Sequence, residues 1–191
     1  MLKQLTLLFP LVLFTACVHD ISISPKTASL KKVRPVTIHR NVAYYIPKEL
    51  LELSVQTAGG NNDTLRYTPY KDTEEALDKI LNNVFTKVTK IENLDEALIK
   101  EKGIQFVFVP HINTMSSSNS NVDWQPTKFN IILKVKVYKG KEELFTSYAQ
   151  GKGIANFGRY QRDATYAVKI ATRSAFLQLQ DEIITKRKLF K

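Results

Sequence analysis

The order of elements in this sequence predicts an α/β (α+β) domain, a single mixed or antiparallel sheet with helices packed on it. Three observations carry that expectation. Apolar residues recur at helical spacing from Asp72 to Lys87 and again from Asp163 to Lys186. Between these helices lies Ile104–Ile112 (IQFVFVPHI), an apolar run of strand length, almost all β-branched or aromatic, which reads as a central strand covered on both faces. Beyond it, Phe129–Tyr138 and Leu144–Phe157 flank Lys139-Gly140-Lys141-Glu142, the pattern of a hairpin. Strand, helix, helix, strand, hairpin and helix, with no internal repeat, give one sheet with its helices on one face.

Taken in order, Val33–Ile46 is rich in β-branched and aromatic residues and predicts a strand pair or one long, interrupted strand. Pro47 then opens KELLELSV, long enough for one or two helical turns, since Pro is well placed at a first helical position. Gly59-Gly60-Asn61-Asn62-Asp63 is a turn signal, and Leu65-Arg66-Tyr67 is a short strand beyond it. The first long helix carries Ala76, Leu77, Ile80, Leu81, Val84, Phe85 and Val88 on one stripe. Asp72 or Thr73 is its expected cap, and Glu74 and Glu75 suit its first turn. Asn93 and Glu96 have capping-box spacing for a second helix, which Gly103 ends. Ser116–Asn121 is a small polar loop.

In the hairpin, Phe129, Ile131, Leu133, Val135 and Val137 share one face. Lys128, Asn130, Lys134 and Lys136 share the other, with Ile132 the exception. The last helix turns Ala164, Ala167, Val168, Ala171, Ala175, Leu179 and Ile183 inward, small residues that let it lie close on a sheet, while Lys169, Arg173 and Gln180 point elsewhere.

Residue types that do chemistry do not converge in the sequence. His19, His39 and His111 have no HxxxH or HExxH spacing, so no metal is expected. No serine lies in a GxSxG context. The acid pairs Glu74-Glu75 and Glu142-Glu143 fall in a helix first turn and a hairpin, where solvation accounts for them. Gly151-Lys152-Gly153 lies in a strand pattern without the helix N-terminus that a phosphate cradle needs, and reads as a bulge. Neither an enzyme nor a cofactor is expected. Two features remain. Lys128, Lys134, Lys136, Lys139 and Lys141, with Tyr138 among them, form a basic face that either solvates a strand or docks an acidic partner or anionic glycan. Trp124, the only Trp, reads as a core lid or a ligand-stacking ring.

Location is written more plainly than activity. Met1–Cys17 (MLKQLTLLFPLVLFTAC) has one Lys, an apolar run from Leu5 to Phe14 too short to span a bilayer, and a small-residue exit, the pattern of an export signal. Phe14-Thr15-Ala16-Cys17 resembles the lipobox of bacterial lipoproteins, with Phe14 where Leu is usual. That resemblance implies that residues 1–16 are removed and Cys17 is acylated, with palmitate among its chains. Val18, in place of Asp after the Cys, implies delivery to the outer membrane, facing the periplasm. Polar Val18–Lys32 then reads as a flexible tether, and residues 33–191 as a single domain. The chain carries 28 Lys and Arg against 18 Asp and Glu, a net charge of +10, most of the excess lying after Lys128. Such a bias favours anionic surfaces, and export removes nucleic acid from the expected partners. With Cys17 acylated no thiol remains for a disulfide or thiol catalysis. Lys186–Lys191, with Phe190, reads as a frayed soluble tail or a shallow headgroup contact.

The Cys17 motif, the helix feeding Ile104–Pro110, Trp124-x-Pro126, the Gly140 hairpin and the Ala-rich last helix are together similar to small α/β envelope lipoproteins of the YajG type. More loosely, they resemble the periplasmic domain of CsgG-like secretion lipoproteins. The resemblance covers about Val36 to Ile184. It implies a non-enzymatic outer-membrane lipoprotein, an accessory or structural part of a secretion, pilus, flagellar or transport complex, with other subunits as partners. The alternative is a binding module for lipopolysaccharide or peptidoglycan. No hairpin pair is long enough to insert as a CsgG-like pore.

Overall fold

The computed structural model describes residues 18–58, 64–117 and 127–191. Five strands form the main sheet: β2 (Ile38–Tyr45), β5 (Phe85–Ile91), β6 (Phe106–Ser117), β7 (Thr127–Lys139) and β8 (Glu142–Ala155). Their order is β5-β2-β6-β7-β8, parallel from β5 through β6 and antiparallel from β6 through β8. β6 is central, as its sequence predicts. A smaller sheet of β1 (Val18–Asp20), β4 (Thr64–Tyr67) and β3 (Val55–Ala58) adds to the expected one. Helix α1 (Lys48–Leu51) follows Pro47, and α2 (Pro69–Val84) and α5 (Tyr166–Thr185) cover one face of the main sheet. Helix α3 (Glu96–Glu101) lies on the opposite face, where Ile99 packs on Ala43, Ile91, Ile104 and Val107. A short α4 (Phe157–Arg162) links β8 to α5. The α/β class holds, with helices on both faces.

Alternation in β7 sorts its residues as the sequence predicts. Phe129, Ile131, Leu133, Val135 and Val137 are all buried beneath α2 and α5. The stripe of α5 is likewise buried from Ala167 to Ile183. Its closeness to the sheet depends on Gly151 and Gly153. A Cβ at Gly151 would stand 1.8 Å from the Ala171 carbonyl oxygen, and one at Gly153 1.8 Å from that of Ala167. The expected bulge is therefore absent here: both glycines pair in regular register with Ile131 and Phe129, and the glycines admit the helix backbone instead. The register shift of this hairpin lies at Val137/Tyr138, next to the turn at Gly140.

Several boundaries move. The stripe read as one helix to Lys87 ends at Val84, and Phe85–Ile91 pairs in parallel with β2. The cap of α3 is Asp95, whose carboxylate accepts from the Ala97 N–H at 2.8 Å, while Asn93 accepts from Asp95 N–H in the preceding turn. β6 is covered on both faces only in its first half, because His111, Asn113 and Met115 lie exposed beyond α3.

The segment expected to be a flexible tether is packed on the domain. Val18–Asp20 pairs with β4, Ile23 and Leu30 are fully buried, and Ile23 N–H donates to Asp72 Oδ2 at 3.1 Å. Ile23 and Leu30 find core sites and Ile21 packs against the same core, which outweighs the polar composition around them, while Val18 stays exposed. Gln180, expected to face away, closes this arrangement from within. It accepts from Asn83 Nδ2 at 2.8 Å and donates to the Lys31 carbonyl at 3.1 Å, and it is fully buried. Gln180→Ala takes the partner from the Lys31 carbonyl and from one N–H of the Asn83 amide, whose nitrogen keeps its bond to the Leu30 carbonyl at 2.9 Å. It is expected to cost about 2 kcal/mol in urea unfolding. The Lys186–Lys191 tail is not frayed and Phe190 is no shallow anchor, since it is buried among Phe85, Phe106, Phe108 and Phe145.

Candidate functional site

Two surfaces lie on the side of the main sheet that α2 and α5 leave open. The first is a groove of about 630 Å³ between α3 and the β7–β8 turn. Its floor is Ile99, Ile104 and Val107, its walls are Leu94 and Tyr138, and Lys100, Glu96 and Lys141 stand at its rim. The volume falls within the range of ligand and side-chain pockets. Each part follows from local sequence. Gly140 at φ +61° turns the hairpin and sets Tyr138 and Lys141 at its tip. The Asp95 cap starts α3 so that Glu96 faces that tip. Lys141 Nζ then meets Glu96 Oε1 at 2.8 Å, both side chains more than half exposed. Such a pair contributes little stability, so it parts readily for an incoming group.

The second surface is the open face of β6, β7 and β8. Register sets His111, Lys134 and Tyr148 in one row, Asn113, Ile132 and Gln150 in the next, and Met115, Asn130 and Lys152 beyond, with Lys128 beside Ile154. Met115, Tyr148 and Ile154 are each more than half exposed. Lys134 lies over the Tyr148 ring, 5.8 Å from its centroid. Lys136 is tied to Glu143 at 2.9 Å. The Thr146 hydroxyl and Lys136 together hold the Glu143 carboxyl below the usual range, and Glu143 raises the Lys136 ammonium in turn.

The five lysines expected on one face are thus divided. Lys128, Lys134 and Lys136 lie on the open face, and Lys141 stands at the groove. Lys139 reaches the other side, over the Phe106 ring and toward the Lys191 carbonyl at 3.3 Å. It does so because alternation along β7 points it to the side of Val137. Cys17 and Trp124 lie outside the described residues.

Leu94 and Glu96 of the groove escape sequence reasoning, which reads Glu96 only as part of a cap. The hint available was Leu94, an apolar side chain in a polar turn with no stripe to join. A further polar cluster ties β2 and β5 to α2. Lys90 Nζ meets Glu74 Oε1 at 2.6 Å, and Tyr44 donates to the same oxygen at 3.4 Å. Burial, then the carboxylates of Glu74 and Asp78, push the Tyr44 phenol well above its ordinary range and keep it protonated. Glu74 is therefore engaged and not merely solvated. Among the described residues no three His, Cys, Asp or Glu side chains are grouped to hold a metal ion, and no helix is long and apolar enough to cross a membrane.

No family model matches the chain, and no curated protein matches it in sequence. Its fold has distant counterparts among solved structures. A Xanthomonas campestris protein described by the family model DUF330 is 9% identical, with a TM-score of 0.48 over 92% of this chain and 96% of that one. A Helicobacter pylori chain described as a neuraminyllactose-binding hemagglutinin homolog is 10% identical, with a TM-score of 0.43 over 83% and 91%. A chain described as a lipoprotein from Caulobacter crescentus is 13% identical, with a TM-score of 0.33 over 60% and 82%. Likeness at this level assigns neither a family nor a role.

Proposed function

We propose that the chain is a non-enzymatic outer-membrane lipoprotein, acylated at Cys17 and facing the periplasm, that positions a partner subunit of a larger envelope assembly. The observation that carries this reading is that Val18, the residue directly after the lipobox-like motif, is already paired in a strand, opposite Thr64. An acylated Cys17 would hold the domain itself at the membrane, with no tether between. The groove lies at the hairpin tip, and β7 is 13 residues long, so the groove stands about 40 Å from the other end of that strand. Such a domain acts by position: fixed at one end and presenting an apolar-floored groove at the other. The partner fitting that groove is a protein segment with an apolar side chain for Ile99, Ile104 and Val107, and a charged neighbour to exchange with the Lys141–Glu96 pair. The YajG-type pattern supports the same reading.

The test is a mild-detergent pull-down from native membranes through a tag joined to Lys191 by a flexible linker. The wild type is expected to bring down a fixed set of envelope proteins that survives high salt. Cys17→Ser should lose both membrane and partners, whereas Leu94→Glu should stay at the membrane and lose the partners. A wild type that comes down alone at every salt concentration sinks the proposal.

A further inference from the structure

We infer that the end of the open sheet face carrying Met115, Lys128, Lys152 and Ile154 lies against anionic lipid headgroups of the membrane that holds the chain. This rests on the acylation of Cys17 proposed above and names what that end of the domain touches.

The first support is the lack of slack. Val18 pairs with Thr64 at the start of β1, and Asp20 and Arg66 fasten that strand through a two-bonded ion pair, Arg66 Nη2 donating to Asp20 Oδ2 at 2.7 Å. One residue spans at most about 3.6 Å, so an acylated Cys17 leaves the domain in contact with the headgroups. Some folded surface must meet them.

The second support identifies that surface. Tyr67, at the other end of β4 from Thr64, donates to Thr114 Oγ1 at 2.7 Å, and its ring meets that of Phe129 edge-on with centroids 5.8 Å apart. Thr64 and Tyr67 are three strand steps apart, about 10 Å. The start of β1 therefore lies close to where β6 ends and β7 begins. Thr114 and Phe129 face the α2 and α5 side, so β1 reaches this end of the sheet from that side, and Met115, Lys128, Lys152 and Ile154 lie at the same end on the opposite, open face.

The third support is the chemistry of this end. Met115 and Ile154 are exposed apolar side chains, and Lys128 and Lys152 are exposed cations with no ion pair among the described residues. Arg162 of α4, directly after β8, is exposed as well. Glu143, the carboxylate that meets the open face of β7, is near the opposite end and already bound by Lys136. Cations interleaved with exposed apolar groups fit a bilayer surface, where lysines meet phosphates while Met115 and Ile154 reach the acyl boundary. A soluble polyanion would engage the lysines and leave both apolar side chains in water.

The test uses acylated protein reconstituted into vesicles of phosphatidylcholine with phosphatidylglycerol, and of phosphatidylcholine alone. With Cys17 blocked by its lipid, a fluorophore goes singly onto Met115→Cys, Ile154→Cys or Lys141→Cys, and nitroxide-bearing lipid is the quencher. On the anionic vesicles the labels at 115 and 154 are expected to quench several-fold more than the label at 141. That difference should fall with salt and with Lys128→Glu plus Lys152→Glu. Protein that floats with the vesicles while all three labels quench alike leaves the anchor standing and overturns this inference. Equal quenching on both vesicle types overturns the anionic headgroup as ligand. Protein that does not float overturns the anchor and this inference together.

Discussion

Phe190→Ala is expected to lower the unfolding free energy by about 3–5 kcal/mol. Phe190 is 2% exposed and fills a pocket of aromatic rings. Its centroid lies 5.0 Å from Phe106 and 5.1 Å from Phe85, both edge-on, 5.5 Å from Phe145 edge-on, and 6.1 Å from Phe108 in a stacked arrangement. These rings come from β5, β6 and β8, so Phe190 closes the core where three strands begin. Edge-to-face pairs add about 0.5–1.5 kcal/mol each beyond area burial, and truncation leaves a cavity that rigid strands cannot collapse. Against a domain stability of about 5–15 kcal/mol, the loss is a large fraction. Leu189→Ala is the control: Leu189 is nearly half exposed, and its change should stay within about 0.5 kcal/mol. Equilibrium urea unfolding followed by circular dichroism separates the two. A Phe190→Ala protein as stable as the Leu189→Ala protein would show that the segment is free, as its basic composition alone suggests.

That contrast shows what could be read from the chain. Phe190 sits between Leu189 and Lys191, after Lys186, Arg187 and Lys188, and no local period marks its destination. Its partners are more than forty residues away. The same limit hid Ile23 and Leu30, two apolar residues in a polar stretch that are buried by tertiary contacts alone. Where a whole face is pressed on a core, the period is legible, as in β7 and along α5. Where two elements run on without a break, it misleads. Phe85 and Val88 extend the stripe of α2 at spacings of three and four, so β5 reads as helix although Thr86, Val88 and Thr89 favour a strand. Of the candidate groove, Tyr138 and Lys141 were visible as hairpin-tip residues. Leu94 and Glu96 were not, because the groove joins three separate segments and no motif spans them.

Gly151→Ala should destabilise the domain by about 3 kcal/mol, more than a single added methyl normally does. The glycine has an ordinary extended backbone, so its own conformational freedom is not at issue. The added Cβ would stand 1.8 Å from the Ala171 carbonyl oxygen and 2.9 Å from the Ala175 nitrogen, against about 3.4 Å for ordinary contact. Both obstacles are helix backbone, and no rotamer change moves them. Helix α5 must lift from β8, which loosens Ala167, Ala171, Ala175 and Leu179 at once. Gly158→Ala supplies the opposite sign. Nothing lies within 4 Å of its Cβ position in α4, so lower chain entropy in the unfolded state should stabilise by about 0.5–1 kcal/mol. A second-site change then identifies the obstacle. Ala171→Gly removes a side chain and leaves the carbonyl in place, so it should not restore the Gly151→Ala protein in thermal or urea unfolding. Recovery in the double variant would mean that side chains, and not the helix backbone, set the distance between α5 and the sheet.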